Sequence, residues 1–493
     1  MNPQKFSLRE SIVLYSILLG CFAVFCYMDW RYVDVEFLGL ARGDEMEHFL
    51  ELQSIYNGFI TLNIKKIFTI GAYNYGFPYY MLNLLAALPF IITENYPLQI
   101  YAPRVLNALF SIANLWLLYK IARMYLSARL CVVVIGIFIA MSGFWHQGYI
   151  YKPDVFQAFF VLACAYYLLR DNFSFGKHYT LAWIALGLGM GVAKFQAILF
   201  IPMIYAYIFL CVREQGFWRS VKRAIVASFG VFAIWILTNP YLLHPRGFNA
   251  WYAMFEGNMN SNATNHGAYT QVSLGDKLAM IDFYYFEIIV FIVLLVLCCY
   301  LLWLGLVRVF RDLALGEIHK QTIGQNKDSS KDYSASAETM DCHASAVSRN
   351  DDKKVDSRIF IQNAEILQSS NSTNAARRQD LGDKNGALQG ESRDLPCVVM
   401  SADSPQQSPF LAPKPTPKSN QVSLLPFTPI AAGFLVSLIY LLFFVNKAWE
   451  AYYFSTMALG ILVFSTLGTL RVSKLLGGGG SIAFGAVCPN YRG

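Results

Sequence analysis

Charge is what this sequence has least of. Only 14% of its 493 residues are Asp, Glu, Lys or Arg, against 56% hydrophobic, and the mean hydropathy is +0.40. Soluble globular domains carry about a quarter charged residues, so the scarcity excludes an ordinary soluble fold. The net charge of +7 is not a nucleic-acid footprint, because the cations are dispersed and sit mostly between apolar runs. The ten cysteines lack paired spacing, and Cys21, Cys26, Cys131, Cys164, Cys211, Cys298 and Cys299 lie in or beside apolar runs. That excludes a disulfide framework or a thiolate metal site and leaves small apolar packing. The first apolar run ends Cys26-Tyr27-Met28-Asp29-Trp30 with no small-x-small cleavage site, so it reads as an uncleaved span rather than a secretory signal. No internal repeat is visible, which removes a common signature of secondary transporters.

What the chain does have is a series of apolar runs. A helix rises about 1.5 Å per residue, so roughly 17–25 apolar residues cross a bilayer. Ten runs approach this: 11–28, 104–122, 130–146, 154–169, 179–194, 195–212, 224–238, 283–307, 427–445 and 454–470. They predict an all-α integral membrane protein, a polytopic helix bundle of about ten spans. With the N-terminus inside, every inner return is basic, from Arg123 and Arg129 to Arg471 and Lys474, as the positive-inside rule asks. The outside then receives 29–103, 147–153, the turn at Lys194, 239–282 and 446–453. Within 29–103, the interrupted apolar run Tyr79–Ile92 and the aromatics from Tyr73 to Tyr80 predict interfacial or re-entrant helices. The organisation expected is a transmembrane core at 1–311, a disordered cytoplasmic insertion at 312–425, two last transmembrane helices at 426–472 and a flexible tail at 473–493. The insertion is rich in Ser, Asn, Asp, Lys and Gln, and cannot bury enough apolar surface to offset chain entropy.

The orientation acts as a filter for chemistry. Arg42-Gly43-Asp44-Glu45-Met46-Glu47-His48 follows the first span, and Arg104, Lys152, Asp154, Lys194 and Glu450 share its side of the membrane. Ionisable groups at membrane depth are costly and usually have a partner or a task. An acidic turn facing three cations suits a phosphate-bearing lipid whose other end is attacked. Plainer roles compete with this. Asp44 is a good helix cap, Glu47 and Glu51 fit a solvated helix face, and His48 fits an ordinary hydrogen-bonded histidine. Arg104 could snorkel to the interface, Lys152 and Asp154 could pair across Pro153, and Gly187, Gly189 and Gly191 fit helix packing.

Several of these stretches together resemble the GT-C glycosyltransferases, nearest in pattern to the protein O-mannosyltransferases and the phospholipid carrier-dependent lipid A aminoarabinose transferases. They are Gly43-Asp44-Glu45 after the first span, Pro78-Tyr79-Tyr80-Met81-Leu82, Ala102-Pro103-Arg104-Val105-Leu106 with Tyr119–Arg123, Lys152-Pro153-Asp154, and Gly187–Lys194. The resemblance covers about 1–260 well and 427–470 loosely. It implies a GT-C bundle that moves a sugar from a polyprenyl phosphate carrier to a lipid, glycan or protein hydroxyl on the outer face, with inversion. The setting it implies is a multi-pass protein of the bacterial inner membrane rather than the endoplasmic reticulum. Asp44 would be the base and Glu45 its neighbour, orienting the acceptor or a divalent metal. Arg104, Lys152 and Lys194 would hold the phosphate, with Asp154 as a second acidic group and His48 as a helper. Competing functions are a transporter or flippase of lipid-linked sugars and a polysaccharide polymerase or ligase.

Overall fold

The computed structural model describes residues 7–31, 33, 43–68, 73, 75–264, 271–335 and 424–475, with 43, 44, 263, 264, 315–335 and 469–475 described for backbone alone. Among these residues the secondary structure is helical, with one isolated bridge between Tyr75 and Lys194. The helices are α1 (Leu8–Arg31), α2 (Gly43–Ile60), α3 (Phe77–Ile92), α4 (Tyr96–Ala122), α5 (Ala128–Ala140), α6 (Ser142–Gly148), α7 (Asp154–Asp171) and α8 (Lys177–Leu188). After a π turn at Gly189–Ala193 and a 3-10 run at Phe195–Phe200 come α9 (Ile201–Phe209), α10 (Phe217–Thr238), α11 (Pro245–Thr264), α12 (Leu274–Tyr284) and α13 (Ile288–Ala335). The last two are α14 (Thr428–Phe443) and α15 (Glu450–Leu475).

Local chemistry sets many of these ends. Asn95 accepts from the Leu98 amide at 3.3 Å, with Pro97 in the first turn of α4, where a missing N–H costs nothing. Asn172 closes α7 in the left-handed region at φ 48°, a conformation that asparagine tolerates better than most side chains. Ser273 and Asp276 form a reciprocal capping box at the start of α12.

Helix occupies all ten expected runs, but not all ten are spans by length and composition. Among the described residues six helices qualify: Leu8–Arg31, Tyr96–Ala122, Phe217–Thr238, Ile288–Ala314, Leu425–Phe443 and Glu450–Gly468. A seventh exists if α5 and α6, bent by 70° at Met141, are one broken span. That count supports a helical membrane protein and stops short of the ten expected, for local reasons. The 179–194 run turns into a π segment, and 195–212 begins as a tight 3-10 run. The 154–169 run has Asp154, Arg170 and Asp171 at its helix ends. α13 itself runs on to Ala335, past the end of the expected core. Residues 325–417 separate as their own unit, of which only the stretch to Ala335 is described. The disorder expected at 312–425 and the tail expected at 473–493 therefore fall largely outside the described residues.

Burial divides the bundle into a centre and a rim. In the apolar windows of α14 and α15, 72% and 83% of residues are buried, against 22%, 17% and 28% for α1, α10 and α13. α7 packs against α4, α8 and α15 and forms the hub. The rim helices instead expose large apolar side chains, among them Leu19, Phe229, Val296 and Phe310, each more than 60% exposed. A continuous apolar rim of that kind is stable only against hydrocarbon. This is an integral membrane protein.

Candidate active site

The hub helix α7 begins at Asp154, and the turn before it is held from three sides. The Asn107 side-chain amide lies 2.9, 3.1 and 2.6 Å from the carbonyls of Gln147, Gly148 and Ile150. These carbonyls are left over where α6 ends, and buried carbonyls require partners. The Tyr151 amide donates to Glu45 Oε1 at 2.8 Å. Glu45 in turn receives Arg104 in a two-pronged pair, Nε to Oε1 at 3.0 Å and Nη2 to Oε2 at 2.9 Å, with both residues about 1% exposed. A third guanidinium nitrogen donates to the Asp29 carbonyl at 3.3 Å. One buried ion pair thus ties together α1, α2, α4 and the turn that carries Lys152 and Asp154.

His48, one turn beyond Glu45 on α2, is also buried. Its Nδ1 lies 3.2 Å from the Tyr80 hydroxyl, and the rings of Tyr75, Tyr79, Tyr80 and Tyr151 surround it edge-on. The Tyr151 phenol is held well above the usual tyrosine range, by burial first and by the Glu45 charge second. It stays neutral at physiological pH.

Lys194 is placed by a different device. The π turn at Gly189–Ala193 widens the end of α8, a distortion often found at functional sites. Gly76 and Gly191 let the chain segments touch: a Cβ on Gly76 would lie 1.9 Å from the Gly191 carbonyl oxygen, and one on Gly191 would lie 2.0 Å from Thr238 Oγ1. Asn239 completes the clamp, donating to the Gly191 carbonyl at 3.0 Å and accepting from the Phe77 amide at 2.8 Å. The result is an extended Lys194 bridged to Tyr75, its Nζ 2.7 Å from Asp154 Oδ1 and facing the rings of Tyr75 and Tyr452 at 5.5 and 4.8 Å. Gly191→Ala is expected to cost about 1–3 kcal/mol through overpacking. Thermal unfolding of the purified protein would measure it, and an unchanged midpoint would mean the clamp is loose.

These groups border a cavity of about 490 Å³. Its lining carries Glu47, Lys152, Asp154, Lys194 and Lys447 beside mostly apolar side chains, including Ile198, Leu199, Trp251, Met254 and Phe255; Lys194 and Lys447 face the same Tyr452 ring at 4.8 and 5.9 Å. α11 contributes Trp251, Met254, Phe255, Asn258, Met259 and Asn262, a spacing of three and four that puts them on one helix face.

Residues 80–244 match the model of the family "Dolichyl-phosphate-mannose-protein mannosyltransferase". That stretch is a GT-C glycosyltransferase domain. The match takes in about a third of the chain, from α3 through α10, and includes Arg104, Lys152, Asp154 and Lys194. No curated protein and no solved structure matches the chain. Glycosyl transfer in general follows from the match, as do a lipid-linked sugar donor and an acceptor at the membrane.

Within and beside this GT-C domain, the expected site residues separate into two groups. Lys152, Asp154 and Lys194 line the cavity, and Asp154 pairs with Lys194. Glu45, Arg104 and His48 do not line it; they are buried in the ion pair and in the tyrosine cluster, whose Tyr75 reaches the cavity. The side chain of Asp44 lies outside the described residues. Among the described residues, no three His, Cys, Asp or Glu side chains converge as a metal site. Glu47, which fits a solvated helix face by sequence, lines the cavity, as does Lys447. Lys447 is 2% exposed, donates to Ser261 Oγ at 3.1 Å and lies 4.8 Å from the Trp449 ring. The filter that selected Lys194, a cation in an expected outer return, also fits Lys447. The α11 face could have been found from its periodicity.

Proposed function

We propose that the protein transfers a sugar from a polyprenyl phosphate carrier to an acceptor hydroxyl, with the carrier's phosphate at the lysines that line the 490 Å³ cavity. The observation that supports this most is the two-part lining. An amphiphile with an anionic head and an isoprenoid chain matches a cavity lined by both lysines and apolar side chains. The charge agrees. Lys152, Lys194 and Lys447 against Glu47 and Asp154 leave a formal +1 (three cations minus two carboxylates), opposite to the single negative charge of a phosphodiester.

The chemistry then needs little else. The acceptor oxygen bonds to the anomeric carbon as the carbon–phosphate oxygen bond breaks, and the electron pair leaves on the phosphate. A carboxylate within reach takes the hydroxyl proton. Asp44, beside Glu45 in the acidic turn that opens α2, is assigned this role. The departing phosphate gains charge, and fixed lysines in a water-poor cavity stabilise it. Attack opposite the leaving phosphate inverts the anomeric centre. The sugar and the acceptor class are left open in this reading, the face of transfer is the outer one, and the setting is the bacterial inner membrane.

Incubating the purified protein with a radiolabelled polyprenyl phosphate-sugar and membrane-derived acceptors tests this. The label is expected to leave the carrier, and Asp44→Asn is expected to lower that rate by at least 10²-fold with unchanged thermal unfolding. A label that stays on the carrier points to a flippase, and full activity in Asp44→Asn removes the assigned base.

A further inference from the structure

A second opening lies on the rim, between α9 and α10. It is a groove of about 410 Å³, with Tyr205 and Phe209 on one wall and Val221, Ile225, Phe229 and Phe232 on the other. Its hydroxyls are satisfied within the groove: Tyr205 and Ser228 are 2.6 Å apart, and Ser228 Oγ donates to the Ala224 carbonyl at 2.7 Å. What remains is an apolar channel. The α10 residues recur every three or four positions, so the channel follows the helix axis. From Val221 to Phe232 it runs about 16 Å, close to half of the roughly 30 Å hydrocarbon core and so to the depth of one leaflet.

One end of this stripe changes character. Trp218, three residues before Val221, is 78% exposed, and tryptophan favours the headgroup level. The segment 213–223 carries Arg213, Arg219, Lys222 and Arg223 against Glu214, a net +3 (four cations minus one carboxylate). Glu214 is itself met by Arg308 at 3.4 Å. Lys222 is exposed and flanks the stripe next to Val221. The apolar channel therefore opens beside a segment of net positive charge.

We propose that this groove holds an acyl chain of an anionic glycerophospholipid, with the phosphate at the Trp218–Lys222 end. A zwitterionic lipid fits the channel equally well, so charge selects the occupant; basic pockets between membrane helices recognise anionic headgroups in this way. The site shares no lining residue with the 490 Å³ cavity, and it stands whether or not the donor assignment does.

The test uses the full-length protein in detergent, offered equal amounts of phosphatidylglycerol and phosphatidylcholine with the same acyl chains. Retained lipid is counted by native mass spectrometry. The wild type is expected to retain phosphatidylglycerol about fivefold over phosphatidylcholine, and Lys222→Glu to abolish that preference. Ile225→Trp, a change at an exposed position that fills the channel, is expected to remove the retained lipid. Thermal unfolding of both variants confirms that they fold. Equal retention of the two lipids by the wild type overturns the proposal. So does a preference that survives Lys222→Glu, or phosphatidylglycerol that persists in Ile225→Trp.

Discussion

Arg104→Ala is expected to destabilise the protein by about 3–5 kcal/mol, because it leaves Glu45 charged, buried and without its main partner. The guanidinium makes two bonds to Glu45 and one to the Asp29 carbonyl, and Glu45 also fixes the Tyr151 amide. Removal of Arg104 therefore loosens the turn that presents Lys152 and Asp154, and transfer should fall with stability. Arg104→Lys should recover only part of the loss, since an ammonium cannot reproduce the planar fork. Glu45→Gln combined with Arg104→Met should be more stable than Arg104→Ala, because no uncompensated charge remains. Thermal unfolding in detergent ranks the three. A wild-type midpoint for Arg104→Ala would return Arg104 to the phosphate-binding role that its position in the sequence suggested.

Lys194 should behave in the opposite way, with its larger effect on turnover. Lys194→Met paired with Asp154→Asn removes both members of the 2.7 Å pair and leaves no lone buried charge. The double variant should unfold near the wild-type temperature and transfer sugar about 10²–10³-fold more slowly, the usual scale for losing one group that stabilises developing charge. Asp154→Asn alone keeps the cation and should lose less. If Asp154→Asn alone is as slow as the double variant, then Asp154 is the group that matters and Lys194 serves only to hold it.

Lys194 was legible in the sequence because its surroundings are local: a glycine-rich helix end, with almost no loop before the next apolar run. The acidic turn after the first span was legible too, but not the division of labour inside it. Glu45 and Glu47 are two residues apart on one helix, and only the tertiary fold shows that the first meets Arg104, 59 positions away, while the second faces the cavity. Asp154 looked like a partner for Lys152 across one proline; the fold brings it to Lys194, 40 positions on. Lys447 and the α11 face reach the cavity from distant parts of the chain, and no local signal joins them to it. Hydropathy found the helical runs, of which six are single helices long and apolar enough to cross a membrane among the described residues. A π turn, a 3-10 run and a 70° bend leave little trace in a hydropathy profile.

The central claim is that the lysines of the cavity hold the carrier's phosphate and its apolar side chains hold the chain. Photocrosslinking with a diazirine-bearing polyprenyl phosphate, followed by peptide mapping, tests it most directly. Labels are expected in the segments that carry Ile198 and Leu199, Trp251 to Met259, and Tyr452, with loss of those labels when Lys194 and Lys447 are both replaced by alanine. Labels confined to other segments, or cavity labels indifferent to the two lysines, would contradict the account.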